Sequence, residues 1–392
     1  MAIERPKLKL HRGSTYVFDV SDPSLASHPL KFTSDSGTSE YTSGVTASGN
    51  SGSPNSIVTF AVPNNAPDVL MYYCGTHGIG MGNKIKILPD PSLVNWYGDR
   101  AVYAGNIYSG TGDDIGQFDI TTLGNATGFG GLISNHEDGG HAALSNGTKA
   151  LFAGGPRDAN RTDDIEVITI STPATATDFG DLLAANSVMD GIHSGSYGFF
   201  AGGDVAVGYT DVIQTVVVDT PGNASSFGTL DEGDFQNGIV TDNSRVVRGG
   251  KGTTFYDLQY WSNVSMTTAS DFGDWAGGSR AAASAVGAGD RGIFMGGTYD
   301  DYTHMEYISI QTPGNAVAFG NLLTNQLNNN GYGEYFSGSA NNATRGTKFG
   351  GVTNGGSNEI QYITMDTLGD GQDFGDLQYR STYTCGTSGA AA

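Results

Sequence analysis

The sequence predicts an all-β protein in two parts: a small β-sandwich over residues 1–90 and a six-bladed β-propeller over residues 91–392. Three observations carry this. Glycine supplies 60 of 392 residues while hydrophobic residues still reach 38%, the composition of many short strands joined by tight turns rather than of a disordered chain. Short runs in residues 1–90 alternate apolar and polar side chains, as half-buried strands do. From about residue 95 onward, one pattern recurs six times with a period near 48.

In the first part, "STYVFDV" (14–20) and "SIVTFAV" (56–62) read as strands, and "VLMYYC" (69–74) and "NKIKIL" (83–88) supply the last two. Clusters of Pro, Asn, Asp and Ser separate them. "PDPS" (89–92), with two prolines, reads as the linker.

The repeat has two markers. The first is an apolar strand ending in glycine, as in "ALFAGG" (150–155), "GFFAGG" (198–203) and "GIFMGG" (292–297). Its first glycines fall at 105, 154, 202, 249, 296 and 350, with gaps of 49, 48, 47, 47 and 54. The second marker is a strand followed by a Phe-Gly turn, as in "DIEVITISTPATATDFGDLL" (164–183). The six Phe-Gly pairs begin at Phe129, Phe179, Phe227, Phe272, Phe319 and Phe374. A single four-stranded unit cannot bury both its faces, so six such units are expected to close into a ring. The glycine-ended strand is expected near the central axis, where glycines let backbones crowd, and each Phe between neighbouring blades. The terminal stretch "YRSTYTCG" (379–386) is expected to complete the first blade.

The glycine-pair strand and its successor resemble kelch repeats, with Phe-Gly-Asp-Leu where kelch carries tryptophan. The phrase "YITI…T-P-GNA…FG-D-L" resembles repeats in virion proteins of marine tailed phages, including those of cyanobacteria, over residues 100–390. That resemblance implies a tail, fibre or decoration component and does not imply an enzymatic activity; a non-enzymatic protein, present in several copies among other virion proteins, is expected. By analogy with phage fibres that anchor through the N-terminus, docking through the first part and host contact through the second are expected.

One stretch of the first part carries metal chemistry. "YYCGTHGIGM" (72–81) sets a cysteine, a histidine and a methionine on one loop, and "SHPLKF" (27–32) offers an upstream histidine. Two imidazoles, a thiolate and a weak thioether are the donor set of a blue-copper site. Residues 7–88 thus resemble cupredoxins such as plastocyanin, a Greek-key sandwich. The resemblance implies copper held by His28, Cys74, His77 and Met81. Thr76 stands where plastocyanin-like loops carry proline, the His77-to-Met81 spacing is one residue shorter, and Pro29 follows His28. The alternative is that the sandwich was borrowed as a module and the loop is only scaffold; a copper redox protein is the rival reading of the whole chain.

Charge narrows the partners. Seven of the 19 Lys/Arg and seven of the 40 Asp/Glu lie in residues 1–90, so the remainder, with 12 basic and 33 acidic residues, holds the entire formal charge of −21. Such a surface repels nucleic acid and anionic membrane. The start "MAIERPKLKLHRG" lacks the apolar core of a signal peptide, and no segment is long and apolar enough for a membrane span, so synthesis in a host cytoplasm and residence in the virion are expected. Two cysteines, Cys74 and Cys385, make no disulfide framework. The histidines His136, His141, His193 and His304 recur at no fixed place in the repeat. Acidic residues precede several second-marker strands, among them Asp113, Asp114, Asp163, Asp164, Asp300 and Asp301, either as turn caps or as calcium ligands. Tyr209, Tyr256, Tyr299 and Tyr302 fall between the two markers on one rim, where aromatic faces and carboxylates suit a glycan; a glycan-binding adhesion module is a third reading.

Overall fold

The computed structural model describes residues 5–35, 39–63, 66–67, 69–88, 98–105, 112–133, 140–157, 160–235, 238–249, 256–277, 283–297, 303–323, 336–351 and 356–390. The protein is all-β, and the one helical element among the described residues is a 3-10 turn at Pro23–Leu25. No described helix is long and apolar enough to cross a membrane. The chain divides into two compact units, Met1–Leu93 and Val94–Ala392.

The first unit contains β1 (Leu8–His11), β2 (Thr15–Asp19), β3 (Leu30–Thr33), β4 (Val45–Ser48), β5 (Ile57–Ala61), β6 (Val69–Cys74) and β7 (Gly78–Leu88). One sheet has the order β1-β7-β6-β3, with β1 parallel to β7 and the other pairs antiparallel; the other has the order β2-β5-β4. Phe32, Leu70, Ile85 and Ile87 from the first sheet share one core with Val58 and Phe60 from the second. Phe32 and Phe60 pack with ring centroids 4.9 Å apart. β7 begins at Gly78, earlier than the alternation in "NKIKIL" indicates, because Cys74 pairs directly with Gly78. The loop is thereby reduced to Gly75, Thr76 and His77, and Gly78 takes the left-handed conformation (φ +72°) that closes such a hairpin.

Among the described residues, the second unit contains six antiparallel arrays, five of four strands and one in which a two-residue strand, Pro156–Arg157, adds a fifth, together with a separate two-stranded hairpin. Their second, third and fourth strands run in chain order; for the second array these are Lys149–Ala153, Asn160–Thr169 and Thr177–Asn186. The first strands are Cys385–Gly389, Ala142–Ser145, Asp190–Ser194, Ile239–Thr241, Ser284–Ala288 and Gly338–Asn341, and each touches the first strand of both neighbouring arrays in a closed cycle. The glycine-ended strand is therefore second, directly outside the innermost strand. The innermost strands are short and rich in Ala, Ser and Gly, which lets six backbones converge. The glycine pairs serve the turn that leaves the second strand: Gly202 and Gly203 have φ +67° and +104°, and a Cβ on Gly202 would lie 2.5 Å from the Asp234 carbonyl oxygen. The closing strand, Cys385–Gly389, pairs with Arg100–Ala104 and begins six residues later than the expected 379, because the fourth strand of the sixth array runs on to Ser381.

The repeated phrase builds the seams. Phe129 packs with Ile168 and Ala176 of the next array, and Phe374 with Phe118 and Ala126 across the closure. At every seam the turn before the Phe-Gly strand donates a backbone N–H to the preceding array: Ala126 to Asp376, Ala176 to Gly131, Ala224 to Asp181, Ala269 to Thr229, Ala316 to Asp274 and Gly371 to Asn321. A carboxylate or amide reaching back from the third strand adds a second bond in five of the six arrays. Glu166 accepts from Ile133 N–H at 2.7 Å, Gln214 from Leu183 at 2.8 Å, Gln259 from Asp231 at 2.8 Å, Glu306 from Ala276 at 3.0 Å and Gln361 from Leu323 at 2.8 Å. The first array has Gly116 at this position, and the Tyr103 hydroxyl takes over, accepting from Gln378 N–H at 3.4 Å. A Cβ on Gly116 would fall 2.2 Å from the Tyr103 ring, so the exchange of Glu/Gln for Gly and the entry of Tyr103 are one change.

The third and fourth arrays share a fully buried ion cluster. Arg248 bonds Asp190 through Nε at 2.6 Å, lies 3.5 Å from Asp234 and donates to the Phe235 carbonyl at 2.5 Å. Arg248→Ala leaves two buried carboxylates without their cation, and the expected loss is about 3–5 kcal/mol in urea unfolding of the second unit. Arg248→Met, which fills the volume but abandons the same charges, is expected to recover little of it.

Candidate metal centre

His28, Cys74 and His77 meet at one end of the first unit. Cys74 is the last residue of β6 and pairs with Leu30 of β3, which brings the segment before β3 alongside the β6–β7 hairpin. Asp22 caps the 3-10 turn by accepting from Ser24 N–H at 2.9 Å, and that bond holds its carboxyl below the usual range. The chain then turns back at Ser27, which is left-handed at φ +69°, and His28 N–H is anchored on the Leu25 carbonyl at 2.9 Å. Two bonds lock this segment to the hairpin. Gly75 N–H donates to the Pro29 carbonyl at 2.8 Å, and the Thr76 hydroxyl donates to the Ser27 carbonyl at 2.7 Å. Thr76, the departure from the plastocyanin-like pattern, is thus a tie between the two ligand-bearing segments.

The Cys74 Sγ lies 3.4 Å from His77 Nδ1 and 3.6 Å from His28 Nδ1, and the three ligand atoms all fall within 4.8 Å of one another. The imidazole rings stack, with centroids 4.6 Å apart and planes inclined by 23°. Cys74 is buried, His28 half-buried and His77 exposed, so the thiol faces inward and one imidazole reaches solvent. The donor set fits a single soft or borderline metal. With bonds of about 2.0–2.3 Å to nitrogen and sulfur, a near-trigonal ion holds N and S roughly 3.6–3.8 Å apart, close to the spacing found here. Met81, half-buried on β7, stands three residues beyond the Gly78 turn. The close cluster comprises the two imidazoles and the thiol, and Met81 is placed by its strand alone. Gly82 permits the strand to run there, since a Cβ would lie 1.8 Å from the Tyr72 carbonyl oxygen.

The other sequence-derived positions are dispersed. Tyr209 is 59% exposed in a short hairpin with Asp204, its ring 5.0 Å from Phe235, while Tyr256 is exposed just before the strand Asp257–Ser262. Tyr299, Tyr302, Asp300, Asp301 and His136 lie outside the described residues. Asp163 and Asp164 come together with Asp181 within 4.8 Å, at or near the surface. Asp114 stands beside Asp113, and burial, then that neighbouring charge, hold its carboxyl above the usual range. Cys385 is fully enclosed, and burial pushes its thiol up to about 12.

The innermost strands of the second unit surround a cavity of about 100 Å³, lined among others by His141, His193, Ser284, Ser337 and Ser339. Burial, partly opposed by the Asp219 charge, lowers the His193 pKa to about 4. The imidazole thus stays neutral in the folded chain where the unfolded chain, at the ordinary 6.5, already binds a proton. The unfolded state gains protons first as pH falls, so stability is present above pH 6.5 and drains away toward pH 4. His193→Gln is expected to flatten that limb by about 3 kcal/mol, read as urea midpoints at pH 7 and pH 4.

No protein-family model matches this chain, and no curated protein is similar to it in sequence.

Proposed function

We propose that the protein is a non-enzymatic structural component of a tailed-phage virion, in which the first unit is a cupredoxin-like Greek-key sandwich and the second a six-bladed kelch-like propeller. The observation that carries this reading is the use to which the repeated phrase is put. The same twenty residues that resemble marine phage virion repeats supply the seam phenylalanines, the seam N–H donors and the third-strand Glu/Gln at successive seams. A sequence spent on fastening six equivalent arrays describes a rigid display element. The nearly neutral first unit suits docking among other virion proteins, and the acidic second unit suits an outward, host-facing position that stays soluble and avoids nucleic acid. Mass spectrometry of purified particles, with immunogold labelling against residues 94–392, tests it. The expected result is several copies per particle with label on the outside; absence of the chain from particles overturns the reading.

The first unit also supports a copper-binding centre. Two Nδ1 atoms converging on one Sγ carry that reading. When bound, the metal would supply a one-electron redox couple; the chain's own part is to hold two imidazoles and a thiolate in place and to shield the sulfur. Copper-loaded full-length protein is expected to contain one equivalent of metal, and His28→Ala with His77→Ala none.

A further inference from the structure

The residue two positions before an innermost strand has positive φ in several arrays of the second unit. Gly140 (φ +81°), Val188 (φ +49°), Phe336 (φ +53°) and Tyr383 (φ +49°) all occupy it. These residues are laced together: Val188 N–H donates to the Gly140 carbonyl, Gly140 N–H to Tyr383, and Thr384 N–H to Phe336. They form an arc at one mouth of the central cavity, whose lining includes Ser337 and Cys385, the neighbours of Phe336 and next but one to Tyr383. Glycine is the low-cost residue here, as Gly140 shows, whereas bulky side chains in the left-handed region carry strain.

The aromatic residues that accept this strain are not isolated. The Phe336 and Tyr383 rings stack at 4.5 Å and 28°. Phe336 meets Phe235 at 6.1 Å, and Phe235 meets Tyr209 at 5.0 Å. Four rings from four distant segments make one continuous run, from the exposed Tyr209 to the axial mouth. Below it lie hydroxyl and imidazole groups, those of Ser284, Ser337, Ser339 and His193.

We propose that this run is a binding platform for a neutral saccharide, with a pyranose ring stacked on the Phe336–Tyr383 pair and its hydroxyls turned toward the cavity. Aromatic faces match the apolar C–H face of a sugar, and the serine hydroxyls and neutral imidazole match its O–H edge. A net charge of −21 disfavours an anionic ligand. The site stands on its own geometry, whether or not the chain is borne on a particle. It differs from a rim of Tyr209, Tyr256, Tyr299 and Tyr302 in centring on the axis.

The positive φ values supply a clean test. Phe336→Gly with Tyr383→Gly removes the platform and relieves the backbone, so the fold should survive. Saturation-transfer NMR on the full chain, with trisaccharides of glucose, galactose, mannose and N-acetylglucosamine as probes, is expected to show transfer to at least one of them. The double variant is expected to bind at least tenfold more weakly, and Tyr209→Ala several-fold, with melting temperatures within a few degrees of the parent. No transfer from the parent protein to any probe overturns the proposal, as does transfer undiminished in the double variant. A large fall in its melting temperature would instead assign the rings to packing and overturn it equally.

Discussion

Copper(II) added in equimolar amount to the full-length protein is expected to produce an intense visible band, and Cys74→Ala is expected to abolish it. The band would arise from charge transfer between the Cys74 thiolate and the metal, which His28 and His77 would hold beside it. The folded chain already holds these three atoms 3.4–3.6 Å from sulfur to nitrogen, which leaves little reorganisation to oppose binding. Thr76→Ala, which frees the hairpin from Ser27, is expected to weaken copper by roughly tenfold while leaving the band in place, since it touches no ligand. A chain that binds one metal ion without colour, or that prefers zinc, would remove the copper reading and leave the virion reading untouched.

Ending the chain after Thr384 is expected to abolish cooperative folding of the second unit. The strand removed, Cys385–Gly389, pairs along the whole of Arg100–Ala104 and touches the innermost strands on both sides. Its loss opens the ring and strips cover from Ala101 and Val102, now wholly buried, and it leaves an unpaired apolar edge of the kind that aggregates. The measurement is calorimetry of the full and shortened chains. The expected outcome is disappearance of the larger transition, with aggregation on heating. Cys385→Ala keeps every backbone bond of the strand and is expected to cost only about 1 kcal/mol, for the lost apolar volume. A shortened chain with an unchanged transition would show that the closing strand is dispensable.

The site and the arrays were legible to different depths. His28, Cys74 and His77 could be singled out because their types and order are specific to thiolate–imidazole chemistry. Their convergence depends on β3 pairing with β6, on the left-handed turn at Ser27 and on the Thr76 tie, none of which leaves a spacing in the chain. The seam Glu/Gln positions were missed, although they recur two residues after the acidic start of strands such as "DIEV" and "DLQY". They look like ordinary polar positions of an alternating strand until a partner N–H from the preceding array is seen.

The sequence by itself determined the all-β class, the six-fold recurrence, the turn glycines and the seam phenylalanines. Each repeat must make the same local turns and bury the same face against the next, and such demands are written in every copy. Only the tertiary structure decided which strand is innermost, how Tyr103 replaces a missing Glu or Gln at the first seam, and that Phe336 and Tyr383 meet. Those outcomes depend on contacts between segments as far apart as Tyr103 and Gln378, where no periodicity links one partner to the other.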